Sequence, residues 1–133
     1  MSEPAVTAKP ESKALEPKQI AEVKTTRQIT ASRFNPDGGI LAAVGFDAAV
    51  WRWQVSGNEL KPLPSLSGHQ GWATALAFHP KQPQLFTVDS WGGIQAHGSH
   101  EDPPKILWKK EKAHEGWIRQ IAISPDGSLL ATC

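Results

Sequence analysis

Apolar residues fall in short runs along this chain, and glycine-, proline- and charge-rich turns separate them. Gln28–Phe34 reads as a first strand. Pro36, Asp37, Gly38 and Gly39 then make a tight turn, because proline presets φ and glycine accepts positive φ. Ile40–Val44 is apolar throughout, as a strand buried on both faces should be. Ala49–Val55 alternates apolar and polar. Leu60–Leu66 is a fourth strand, and Pro62 and Pro64 confine it to a sheet edge because proline cannot donate to a ladder. The plan then repeats as Ala73–Phe78, Gln84–Val88, Gly93–His97 and Lys105–Lys112. Gly98–Pro104 is polar and proline-rich, hence an exposed loop. Ile118–Ile123 opens a third round, which reaches Cys133 midway through its second strand.

The repeat has a measurable step. His69 to His114, Trp72 to Trp117 and Pro80 to Pro125 are each 45 residues apart, and Phe34–Pro36 lies 44 before Phe78–Pro80. A fixed period of this length marks a repeat architecture. The units are 23–67, 68–112 and a half unit, 113–133. Residues 1–22 are charged, broken by Pro4, Pro10 and Pro17, and free of Gly and aromatics, so a disordered tail is expected there. A short helix or edge strand over Leu15–Val23 is the alternative.

Composition narrows the function. The formal net charge of +1 over 133 residues gives no general attraction to nucleic acid or anionic membrane. Cys133 is the single cysteine, so no intrachain disulfide can form. No long apolar run opens the chain, which points to a cytoplasmic protein. Six Trp and four Phe stand against no Tyr, and Trp72 and Trp117 occupy equivalent repeat positions.

Four strands per unit, Gly68-His69 ahead of a first strand and Trp53 closing a third resemble the WD-repeat β-propeller family over residues 23–133. The resemblance implies an all-β fold of four-stranded antiparallel blades, here an open and incomplete propeller of about two and a half repeats. It also implies a structural network of His, turn Asp and strand Trp in each blade, which maps onto His69, His114, Asp47 and Trp53. No unit holds the full set: Lys24-Thr25 replaces Gly-His in the first, and Trp91 and His97 replace Asp and Trp in the second. Asp89 and Ser90 lie near enough to substitute in part. A weakened network within each blade is therefore expected, with packing carrying more of the stability.

The family's partner-binding rim maps onto Gln28, Thr30 and Phe46, then Trp72, Thr74 and Ser90, then Trp117 and Arg119. Trp and Arg are enriched at binding hot spots, although both tryptophans could instead wedge between blades. His69, Asp47 and a serine could be drawn as a hydrolytic triad, but the repeat already explains the first two. His97, His100, Glu101 and Asp102 resemble metal ligands only in type. Lys105, Lys109, Lys110 and Lys112 around Trp108 suit an outer strand guarded against edge pairing better than a nucleic-acid patch. The expectation is a non-catalytic scaffold that binds proteins or peptides, with no cofactor and no metal. The alternatives are a small-molecule or enzymatic propeller, and a structural piece that closes a ring with further blades or copies of itself.

Overall fold

The computed structural model describes residues 12–133. Three antiparallel sheets follow one another along the chain. The first orders β1 (Ile29–Phe34), β2 (Ile40–Gly45), β3 (Val50–Ser56) and β4 (Glu59–Leu66) side by side. The second repeats this with β5 (Ala73–Phe78), β6 (Gln84–Asp89), β7 (Ile94–Gly98) and β8 (Ile106–Lys110). The third pairs β9 (Ile121–Ile123) with β10 (Leu130–Thr132). The two prolines of β4 lie on an edge strand, where no ladder donor is needed. β9 is shorter than the Ile118–Ile123 expected. The Ile118 amide donates instead to the Asp89 carbonyl of the second sheet, at 3.2 Å, so that residue joins the sheets rather than the ladder.

The core is divided between the sheets. Ala42, Val44, Val50 and Leu66 of the first pack on Ala73, Leu76 and Leu85 of the second. Ala75, Phe86, Val88, Ile94 and Ala96 of the second pack on Ile118 and Ile121. Each blade thus buries its faces mainly against its neighbours, as stacked repeats do.

The Gly98–Pro104 loop differs from expectation. Gly98 and Ser99 are buried, and the loop crosses back onto the first blade. The reason is Arg52 on β3, which is 2% exposed. Its guanidinium donates to the Pro64 carbonyl through Nε (3.1 Å) and Nη2 (2.9 Å), and to the Ser99 carbonyl through Nη1 (2.9 Å). Burial pushes the Arg52 pKa down, with the charge of Asp102 opposing. His100 meets the Asn35 side chain at 3.5 Å, a second tie between loop and first blade.

Residues 12–24 are exposed and form neither helix nor strand, so the helix or edge strand considered over Leu15–Val23 is absent. The rest of the expected tail, residues 1–11, lies outside the described residues. No helix among the described residues is long and apolar enough to cross a membrane.

Candidate partner-binding rim

One end of the three sheets carries a row of aromatic rings. Phe46 lies just after β2, Trp72 just before β5 and Trp117 ahead of β9, so each blade contributes one ring. Phe46 meets Trp72 at 5.0 Å between centroids and 68° between planes; Trp72 meets Trp117 at 5.5 Å and 88°. Edge-to-face contacts at these separations are attractive because a ring's positive edge faces a negative π cloud. The three rings still expose 41%, 44% and 46% of their surface. They touch across the blade joints and remain open to solvent.

The backbone around Trp72 is fixed. Its amide donates to Ser90 Oγ at 2.9 Å, and its carbonyl accepts from the Ser90 amide at 2.9 Å. Gly71 is required beside it, since a Cβ there would stand 2.2 Å from Ser90 Oγ and 2.4 Å from Trp91 Cδ1.

Two clefts flank the Trp72 ring. The inner one, about 450 Å³, is lined by Thr30, Phe46, Trp72, Thr74, Trp117 and Arg119. Its two hydroxyls are already committed: Thr30 to the Val44 carbonyl at 3.3 Å, and Thr74 to the carbonyls of Val88 and Ile118. The Arg119 guanidinium lies 5.3 Å from the Trp117 centroid, within range of a cation–π contact. The outer cleft, about 900 Å³, brings in Arg27, Asp47, Gln70, Ser90 and the exposed Trp91. Seven of the eight expected rim residues therefore line these clefts. Gln28 does not; its carbonyl accepts the Phe46 amide at 3.1 Å and holds that ring's backbone. Sequence reasoning missed Arg27, which precedes the first strand and whose repeat counterpart is a glycine, Gly71.

The buried histidine network corrects an expectation. The second unit does build a connected set. His69 Nδ1 lies 2.6 Å from Asp89 Oδ2, His69 Nε2 lies 2.6 Å from Thr87 Oγ1, and Thr87 Oγ1 lies 3.1 Å from His97 Nε2. Asp89 Oδ1 also accepts the amides of Trp91 (2.9 Å) and Gly93 (2.8 Å). Asp89 thus takes the carboxylate's place and His97 the indole's. Burial lowers the pKa of His69, against the hydrogen bond and charge of Asp89. Burial, with the charges of His69 and Arg52, pushes His97 down to about 4. Both rings are therefore neutral at pH 7, which orders the protons. His69 donates Nδ1–H to Asp89, Thr87 donates its hydroxyl to His69 Nε2, and His97 donates Nε2–H to Thr87.

Asp, His and Thr in this order look like a hydrolytic relay. Thr87 is 0% exposed, however, and lines neither rim cleft. A nucleophile needs room for a substrate beside it. Asp47 and Trp53 do not join such a set. Asp47 Oδ1 accepts the Ala49 amide at 3.4 Å, Trp53 is buried, and no hydrogen bond links the two. In the third unit His114 Nε2 meets Thr132 Oγ1 at 2.8 Å, the same His–Thr link one repeat on. His97 and His100 belong to separate contacts, the latter with Ser99 Oγ at 2.8 Å.

Comparison with known proteins agrees with this architecture. The family model for the WD domain, G-beta repeat, matches residues 60–94 and 106–133. The chain is 32% identical over 104 residues to nuclear distribution protein PAC1 of Arthroderma benhamiae, covering 71% of this chain and 22% of that protein. It is 36% identical over 62 residues to actin-interacting protein 1 of Drosophila melanogaster, covering 47% of this chain and 10% of that one. It thus spans less than a quarter of either relative. A chain in the crystal structure of the mitotic checkpoint complex superimposes with a TM-score of 0.70 at 19% identity, over 85% of this chain and 34% of that one. At that identity the likeness speaks for the fold alone. Two four-stranded antiparallel sheets and a two-stranded third, stepped at 44 and then 45 residues and matched by the repeat pattern, make this chain a member of the WD-repeat β-propeller family.

Proposed function

We propose that this chain is part of a non-catalytic scaffold that binds a protein or peptide partner on its aromatic rim. The observation that carries this reading is the row Phe46, Trp72 and Trp117, which stays close to half exposed although its rings touch. Large rigid rings offer apolar area at low entropy cost, and such residues dominate binding energy where they occur at interfaces. The test uses a peptide selected on the full chain from a random displayed library. Trp117→Ala should lower its affinity about 30-fold, the equivalent of about 2 kcal/mol. Melting temperature is measured on the same variant. A large loss of stability with unchanged affinity would mean that the ring only packs blades together.

A second reading is favoured by the third sheet. It has two strands, with Leu129 71% exposed and Leu130 37% exposed, and Phe34 on β1 is 60% exposed. Further blades or another copy of the chain would cover these groups. Sedimentation that returns a monodisperse monomer with high thermal stability would argue against that.

A further inference from the structure

We propose that the partner segment is an extended stretch with one large apolar side chain flanked on both sides by acidic residues. The apolar group seats against Trp72 and Trp117 in the inner cleft, one carboxylate meets Arg119, and the other meets Arg27. This rests on the rim being the binding surface and specifies what it takes.

Three observations lead there. The inner cleft has no free hydroxyl proton on its floor, because Thr30 and Thr74 spend theirs on strand carbonyls. What remains is methyl groups, Gly45, Ala73 and aromatic rings, which suit an apolar occupant. The guanidinium at its border, Arg119, is exposed and spread over Trp117. Arg27 stands in the cleft on the other side of Trp72, also exposed. Among the described residues Lys109–Glu111 is the ion pair, His69–Asp89 being a hydrogen bond from a neutral ring, so neither arginine has a carboxylate partner among them. Asp47 shares the outer cleft with Arg27; its Oδ1 accepts the Ala49 amide. Two planar forks with no carboxylate partner among the described residues, on either side of an aromatic row, therefore call for two carboxylates around an apolar centre.

The experiment titrates the full chain with three synthetic peptides and follows the indole N–H signals of Trp72 and Trp117. One peptide has Leu between flanking Glu residues, the second replaces Glu by Lys, and the third replaces Leu by Ser. The first should shift both indole signals, and the other two should bind at least tenfold more weakly. Arg27→Gln and Arg119→Gln should each weaken the first peptide about five- to tenfold and flatten its dependence on salt, with melting temperature unchanged. Equal binding of the Glu and Lys peptides at the two indoles would overturn the charge assignment and leave the rim reading standing. Peptides selected from the random library that bind equally well to Trp72→Ala and Trp117→Ala would overturn the rim reading itself. Selected peptides that need the tryptophans but carry no acidic residues would overturn only the proposal made here.

Discussion

Replacing Arg52 by Met removes the fork that ties the two complete blades together and keeps an unbranched apolar stem. The Pro64 carbonyl loses two donors and the Ser99 carbonyl one, each within 3.1 Å. The buried Ser99 carbonyl left without a donor costs about 1–3 kcal/mol, whereas Pro64 is exposed and its carbonyl can take water instead. Two effects oppose this loss. Methionine needs no desolvation of a charge, a cost of several kcal/mol for a buried ion. The Gly98–Pro104 loop and the outer strand can also move and rehydrate their carbonyls. The expected net loss is about 2 kcal/mol, roughly 6–10 °C in melting temperature for a chain of this size. Arg52→Lys should be worse, by about 3 kcal/mol, because a point charge remains buried and cannot reach the divergent carbonyls. Urea midpoints give the ordering Arg, Met, Lys from most to least stable. Hydrogen exchange should show protection lost first in residues 98–104 and β4. A Met variant as stable as the parent, with exchange unchanged in those two segments, would refute the clamp.

Three further outcomes follow from the buried network and the blade joint. His97 has its pKa lowered from 6.5 to about 4, so the unfolded chain binds the proton more readily than the folded one. Stability is then full above about pH 6.5 and falls by about 3 kcal/mol as pH drops toward 4; urea midpoints that do not move more in the parent than in His97→Phe would contradict this. Thr87→Val keeps the shape but strands one nitrogen on each imidazole, and should cost about 2–4 kcal/mol in denaturant titration. Gly92 has φ +84°, and a Cβ there would lie 2.2 Å from the His114 carbonyl, so Gly92→Ala should lower stability by at least about 2 kcal/mol and loosen the third sheet in hydrogen exchange.

Much of this molecule is legible in its repeat step, and the exceptions have physical causes. Trp72 and Trp117 could be placed on one rim because 45 residues returns the chain to an equivalent corner. The apolar runs agree with the strand bounds to within a few residues, and a shift occurs where a side chain intervenes: Gly93 leaves β7 because Asp89 holds its amide. Asp89 itself sits two residues before the position the family pattern assigns. The ladder sets it opposite Ala73, beside His69, so the carboxylate arrives from a different address. No local pattern announces Arg52 either. It lies between Trp51 and Trp53 in an alternating strand, and one of its partners is 47 residues away. Arg27 lies ahead of the first strand, where the repeat has no counterpart charge to compare.

The aromatic row also links occupancy to cohesion. Phe46, Trp72 and Trp117 meet only across blade joints, so separating two blades breaks a ring contact and opens the inner cleft at once. A ligand that needs this row whole binds the docked blades and not the parted ones. At a hundred times its Kd it would add about 2.7 kcal/mol to the free energy of unfolding. Denaturant resistance therefore reads rim occupancy, without a label and without knowing the ligand's name.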